Sequence, residues 1–336
     1  MIKFNIVSPD HSIKDEIQDK IDNLNKPKGS LGMLEELALR ICLVQHSLLP
    51  TLFHPCHLLF GGDHGIEREG VSLSPRDVTW QQMINFTKGG GGVNMFCRQH
   101  NFKLRIIDMG VDYDLSSFPE IRNEKIAWGT KDFLHEAAMS EEEMDKALST
   151  GAKIIDECAD EGCNIVCIGE MGIANTSPSS IWLHLMGGVP LDDCVGAGSG
   201  VAGSQLSHKH KVLKEAVDKF NRDFPYASAT DMIRYFGGFE MVGAIGAMLR
   251  AAERRMIVMV DGFIMSACML AASRLHPEVL NYAIFGHCGD EHAHEEGLQL
   301  RSPHDGLAHG AGRGADGGGN EGGGAHTAEN GDNGRH

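Results

Sequence analysis

Nowhere in the 336 residues does an apolar run approach the ~18 residues of a membrane-spanning helix. The opening, Met1-Ile-Lys-Phe-Asn, also lacks the apolar stretch of a secretory signal, and together these absences give the expectation of a cytoplasmic protein. Clusters of lysine and arginine are missing too. With 30 basic residues against 46 acidic ones the net charge is -16, which argues against gripping a nucleic-acid backbone. The nine cysteines are odd in number and scattered. Cys158, Cys163 and Cys167 come nearest to a cluster, but the last two lie in or beside an apolar strand, so reduced core thiols are expected rather than a metal site. No fixed-period repeat is visible. No glycine loop follows the first strand with G-x-G-x-x-G spacing and a ribose-binding acid about 20 residues on, which disfavours a nicotinamide dehydrogenase.

What is present is an ordinary globular composition, 42% hydrophobic and 23% charged, in a chain long enough for one large α/β domain and a smaller accessory one. The most informative stretch is Asn164-Ile-Val-Cys-Ile-Gly-Glu-Met-Gly-Ile-Ala-Asn-Thr-Ser177. Its apolar residues 165–168 end at Gly169, and Glu170, Gly172, Asn175, Thr176 and Ser177 follow. The pattern predicts a buried parallel strand opening into a helix that Asn175 or Thr176 caps. Strand carboxyl ends in open α/β sheets are where ligands sit, and a helix N-terminus favours anions. An anion-binding turn that carries a carboxylate suggests a phosphorylated substrate and acid/base or positioning work by Glu170. A tight strand–helix connection with one solvated glutamate fits the same residues.

Around it, strand-like and helix-like segments alternate. Helical spacing is seen over 10–25, 33–46, 75–86, 93–100, 139–158, 179–187, 211–220, from 236 onward and over 263–275. Strands are expected at 57–62, 104–110, 165–168, 257–262 and 281–287, whereas 111–137 reads as irregular. This alternation implies a doubly wound, mostly parallel Rossmann-like sheet with a small helical domain. Residues 1–50 are assigned to the small domain, 51–292 to the nucleotide-binding catalytic domain, and 293–336 to a disordered tail.

Three loops have two readings each. Lys26-Pro-Lys-Gly-Ser-Leu-Gly32 offers cations for a phosphate or is a solvated turn. Asp63-His64 at a strand end is catalytic or bonds itself and the turn backbone. Gly89–Gly92 lets a ligand or another backbone come close, or is a flexible connector, which fits its ordered flanks less well. The tail is rich in glycine and poor in large aliphatic residues, so it cannot offset its ordering entropy.

The motifs together resemble one family, the nicotinate-nucleotide–dimethylbenzimidazole phosphoribosyltransferases of cobalamin lower-ligand synthesis. The matching stretches are Lys26-Pro-Lys-Gly-Ser-Leu-Gly-Met-Leu-Glu35, Asp63-His-Gly65 with Glu69-Gly-Val-Ser-Leu-Ser-Pro75, and Thr87-Lys-Gly89 with Gly92. They continue with Ile107-Asp-Met-Gly-Val-Asp112, Gly169-Glu-Met-Gly-Ile-Ala-Asn-Thr176, Gly237-Gly-Phe-Glu-Met-Val-Gly243 and Asp261-Gly-Phe263, in the family's order from about residue 15 to 290.

The resemblance implies base exchange on nicotinate mononucleotide. A nitrogen of 5,6-dimethylbenzimidazole attacks C1′ of the ribose, nicotinate leaves, and α-ribazole 5′-phosphate forms with inversion. No cofactor and no metal are expected, since the leaving nicotinate is already cationic at its ring nitrogen. The incoming azole must lose its N–H proton, which calls for a carboxylate base. By the same resemblance Ser74 and Gln82 flank the benzimidazole, and Glu170 lies near the ribose. Gly172, Asn175 and Thr176 form the nucleotide turn, while Gly196, Gly198 and Lys211 lie near the phosphate. A homodimer is implied. One departure stands out. The family's general-base glutamate lies in a Leu-Gly-Glu-Gly-type motif beyond the strand ending at His287, and no such motif occurs here. Asn320-Glu321-Gly322 is the nearest string, lacks apolar flanks, and does not inherit the role. The expectation is therefore a coding sequence read in another frame near its 3′ end, or a replaced end to the fold, with impaired activity. An inactive nucleotide- or azole-binding homologue is the alternative.

Overall fold

Residues 2–196 and 203–286 are described by a computed structural model. Helices α1 (Lys14–Asp22) and α2 (Met33–Gln45) pair around their own small core of Ile17, Ile21, Cys42 and Leu43. Arg40 Nη2 donates to the Leu280 carbonyl at 2.7 Å, which ties α2 to the rest of the chain. Strand β1 (Cys56–Gly62) then runs into a 3₁₀ turn, Gly65–Glu69, followed by α3 (Asp77–Thr87), α4 (Gly92–His100) and β2 (Lys103–Gly110). After β3 (Ile121–Asn123) come α5 (Glu141–Asp160), β4 (Ile165–Met171), α6 (Thr176–Gly187) and α7 (Leu191–Cys194). Helices α8 (Ser204–Asp223), α9 (Ala229–Phe236) and α10 (Phe239–Glu253) precede β5 (Ile257–Val260), α11 (Phe263–Leu275), the 3₁₀ segment Pro277–Tyr282 and β6 (Ala283–Phe285).

The six strands form one parallel sheet in the order β3-β2-β1-β4-β5-β6. Chain order therefore reverses between β1 and β4. At such a switch point the connections leave on opposite faces and open a crevice above the strands' carboxyl ends. Register places Phe60 opposite Glu170 and Gly61 opposite Met171, so the β1 terminus with Asp63-His64 and the β4 terminus with Glu170 flank that crevice. The doubly wound architecture expected from the alternating pattern is what the chain adopts.

Helix ends follow local chemistry. Ser140 Oγ accepts from Glu143 N while the Glu143 carboxylate accepts from Ser140 N, a capping box that starts α5 with three glutamates in its first turn. The face α5 presents to α10 is built on glycine. A Cβ on Gly151 would lie 1.9 Å from the Gly243 carbonyl oxygen, and one on Gly246 would lie 2.1 Å from that of Leu148. The helices thus touch backbone to backbone. Gly151→Ala is expected to destabilise the protein by about 2 kcal/mol or more through overpacking, read as a lower urea midpoint at unchanged m-value.

Several expectations are corrected here. The 111–137 stretch contains the edge strand β3, too short to show alternation. Helix α8 starts at Ser204 rather than 211, and α9 was not anticipated. Lys26 is paired with Glu35 at 2.9 Å and Lys28 with Asp22 at 3.3 Å, so the Lys26–Gly32 turn uses its cations internally. The Gly89–Gly92 run admits protein, since Cβ atoms on Gly90 and Gly91 would strike Asn85 at 2.1 Å and Phe86 at 2.5 Å. Among the described residues the cysteines are free thiols, with Cys56 and Cys158 sulfurs 3.8 Å apart in the core. No described helix is long and apolar enough to cross a membrane. The readings of 287–336, including Glu321, lie outside the described residues.

Candidate active site

Glu170 projects from the end of β4 at the switch point and is half-buried. Asn175 Nδ2 donates to its Oε2 at 2.5 Å. This corrects the capping expectation: Asn175 precedes α6 but makes no side-chain cap, since its backbone is already helical (φ -65°, ψ -16°) and its amide is turned toward Glu170. The chain turns sharply between them, with Ala174 held at a φ of 73°, a left-handed conformation unusual for alanine. Burial pushes the Glu170 carboxyl up to about 7, with the nearby Glu240 adding to the rise while the Asn175 bond and His64 oppose it.

Beneath the turn lies a buried pair that sequence reasoning missed. His64 Nε2 and Glu240 Oε1 are 2.6 Å apart, and both side chains are essentially inaccessible to solvent. His64 does not pair with its neighbour Asp63, as one reading supposed. Asp63 Oδ2 instead accepts the Asp112 N–H at 2.7 Å, so the acid secures the loop after β2. Burial pushes the Asp63 carboxyl up, against the bonds from Asp112 and Thr79. For His64, burial favours the neutral ring, but Glu240, Asp63 and Glu170 outweigh it and raise the imidazole. Glycines admit the pair: a Cβ on Gly62 would lie 2.5 Å from Glu240 Oε2, one on Gly238 2.3 Å from the His64 ring, and one on Gly172 3.1 Å from Glu240 Oε1. Three buried or half-buried acids therefore surround one imidazole, leaving an excess of negative charge suited to a cation.

The other end of the crevice has the opposite character. Lys209 is only 1% exposed, and its ammonium donates to Thr176 Oγ1 at 3.0 Å and to the Gly196 carbonyl at 3.4 Å. With Val71, Ser72 and Gly172 to Thr176 it lines a cavity of about 60 Å³ at the N-terminus of α6. A buried ammonium beside the positive end of a helix is an anion site of phosphate size.

Gly172, Asn175, Thr176 and Gly196 are thus brought together with Glu170. Ser74 lies in the loop before α3 and Gln82 on α3, where Gln82 Oε1 accepts from Asn85 Nδ2 at 3.2 Å. Helix α3 is joined to the turn by Thr79 Oγ1, which accepts the Ile173 N–H at 3.1 Å. Lys211 is exposed and lines a hollow of about 450 Å³ on the outer side of α8, with Lys214, Lys219 and Arg222, away from the crevice. The lysine that lines the cavity at the start of α6 is Lys209. Gly198 lies outside the described residues.

A parallel sheet with an anion cradle and a raised carboxyl at its switch point defines an α/β enzyme for phosphorylated small molecules. The comparisons make that class specific. The sequence model of a family described as Phosphoribosyltransferase matches residues 6–312, and the chain belongs to that family. Nicotinate-nucleotide–dimethylbenzimidazole phosphoribosyltransferase of Phocaeicola vulgatus is 58% identical over 295 residues, covering 88% of this chain and 85% of the relative. The enzyme of the same name from Dechloromonas aromatica is 41% identical over 298 residues, covering 89% and 86%. The crystal structure of CobT from Thermus thermophilus superposes with a TM-score of 0.81 at 30% identity, covering 85% of each chain.

Proposed function

We propose that this chain exchanges the nicotinate of nicotinate mononucleotide for 5,6-dimethylbenzimidazole, giving α-ribazole 5′-phosphate. The carrying observation is the charge division of the crevice. A buried ammonium and a helix N-terminus lie at one end, and an acid-rich end with Glu170 at the other. Nicotinate mononucleotide has that polarity, a phosphate on O5′ and a cationic ring nitrogen on C1′. Glu170 stabilises the positive charge that spreads over C1′ as the bond to nicotinate lengthens, and accepts the azole proton as the new bond forms. The azole lies between α3 and Met171, against the apolar cluster of Leu59, Met83 and Val111 with Trp80 at its margin. Ser74 and Gln82 orient its polar edge.

The names of the relatives, which specify nicotinate nucleotide and dimethylbenzimidazole, support the same reading. The small helical domain leaves Leu31, Met33, Leu34 and Leu49 largely exposed. We take this apolar face as part of a homodimer contact in a cytoplasmic enzyme, which light scattering on the purified chain checks.

The test is turnover of nicotinate mononucleotide with dimethylbenzimidazole, following the ribazole product. Product formation at a steady rate supports the reading, and both ligands bound without product would overturn it. Within that assay, Lys209→Met is expected to raise KM for the nucleotide about 10- to 100-fold, the size of one lost charge-assisted bond. Lys211→Met is expected to leave KM unchanged. Equal effects of the two would remove the phosphate assignment.

A further inference from the structure

Away from the crevice, three potential ligands converge on the outer wall of the nucleotide turn. Glu69 closes the 3₁₀ turn after β1, and Asp132 and His135 lie in the loop before α5. One atom from each, two carboxylate oxygens and an imidazole nitrogen, all fall within 4.8 Å of one another. His135 Nε2 is 3.3 Å from Glu69 Oε1 and 4.0 Å from Asp132 Oδ2. A tetrahedral ion with bonds of about 2.0–2.1 Å sets its ligand atoms about 3.3 Å apart, so these separations need only small rotations to close on one.

Asp132 is the buried member of the three. Its side chain is nine-tenths buried, at 10% exposure. Its Oδ1 accepts the Leu134 N–H at 2.9 Å, while its Oδ2 faces the His135 ring at 4.0 Å and the Glu69 carboxylate. A buried carboxylate oxygen facing a second carboxylate needs a positive partner.

The backbone around the three is already fixed. Lys219 donates to the carbonyls of Leu134, at 3.1 Å, and His135. His208 Nε2 contacts the Glu69 carbonyl at 2.7 Å. Gly65 N donates to Thr130 Oγ1 at 3.1 Å, and a Cβ on Gly65 would lie 2.3 Å from the Lys131 backbone, so the two ligand-bearing segments are locked together. His135 is 67% exposed, which leaves a path for entry and an open position for water.

We propose that Glu69, Asp132 and His135 bind a divalent transition-metal ion of the zinc class. Two oxygens with one imidazole favour zinc, cobalt or nickel over magnesium, which prefers an all-oxygen octahedron. The ion would be structural. Glu69 is two residues from Val71 in the phosphate-cavity lining, and His208 adjoins Lys209, so a bound ion would hold that wall in place. The inference does not depend on the reaction proposed above.

The test is calorimetric titration of the metal-stripped full chain with zinc chloride, with magnesium chloride as the hard-ion control. His135→Ala and Asp132→Asn are titrated alongside. The original chain is expected to take up one more equivalent of zinc than either variant, or to bind it at least about 10-fold more tightly. Its melting temperature is expected to rise with zinc, and the rise to vanish in both variants, whose metal-free circular dichroism matches the original. His135 is exposed, so that variant retains the fold even if Asp132→Asn does not. Equal zinc uptake by all three chains would mean an adventitious ion only, held for instance by the histidines of the glycine-rich tail, and would overturn the proposal. No uptake by the original chain would overturn it as well.

Discussion

Glu170→Gln is expected to lower kcat by about 10²- to 10⁴-fold, with KM for nicotinate mononucleotide changed far less. Glutamine keeps the shape and can still accept the Asn175 bond, so the substitution removes charge and basicity and little else. The pH profile carries the same assignment. Burial places the free carboxyl at about 7, so kcat/KM should climb about tenfold per pH unit below 7 and level off above it. A bound substrate brings its cationic ring nitrogen toward the carboxylate, which favours ionisation, so the kcat profile should turn at lower pH than kcat/KM. Glu170→Gln with near-original kcat would move the base role to another carboxylate, and a kcat/KM profile flat from pH 5 to 8 would detach Glu170 from the rate.

The same residue makes a separate statement about stability. A carboxyl raised from 4.5 to about 7 in the folded state holds a proton that the unfolded chain has already released. The fold therefore loses stability as pH rises from 4.5 to 7 and does not regain it above 7. Glu170→Gln escapes that loss. It should be more stable than the original chain at pH 8, by at most about 3 kcal/mol, and no more stable at pH 4. Chemical denaturation at the two pH values reads the difference. A site that costs stability in order to keep a reactive carboxyl is what a catalytic role predicts, and a solvated glutamate would show no such crossing.

Much of this site was legible in residues 164–177 because every necessary feature is local there. An apolar run, a glycine, an acid and small polar residues are read in one window, and the strand, turn and helix follow in order. The buried lysine proposed to meet the phosphate was legible in principle. Leu213, Ala216 and Phe220 on α8 are buried, and Lys209 lies four residues before Leu213 on that same inward stripe, whereas Lys211 points outward. Starting α8 at 211 hid the periodicity. Helix α9 carried its own sign, Ser228 and Asp231 in capping-box spacing. The His64–Glu240 pair had none. Its members are 176 residues apart, and only the sheet's switch point brings the end of β1 against the start of α10. Gly237-Gly238 before Glu240 pointed to close packing without naming what packs.

That pair carries the largest expected effect on stability. Glu240→Leu leaves His64 buried against an apolar side chain, and losing one partner of a buried ion pair costs about 3–5 kcal/mol. Its pH dependence follows from the raised imidazole. The stabilisation is fully present below the ordinary histidine value of 6.5 and fades as pH rises through the higher folded value, so the variant should be hurt more at pH 6 than at pH 9. Replacing both members, His64→Leu with Glu240→Leu, should recover most of the loss, because apolar residues of similar volume need no desolvation. At Glu170 the two charges oppose each other, Glu240 raising the carboxyl and His64 lowering it, while burial remains the largest cause. The double variant should therefore keep its kcat/KM inflection near 7. An inflection that falls by more than about one unit would make the pair, rather than burial, the source of Glu170's reactivity, and would turn a structural brace under the β4–α6 turn into part of the chemistry.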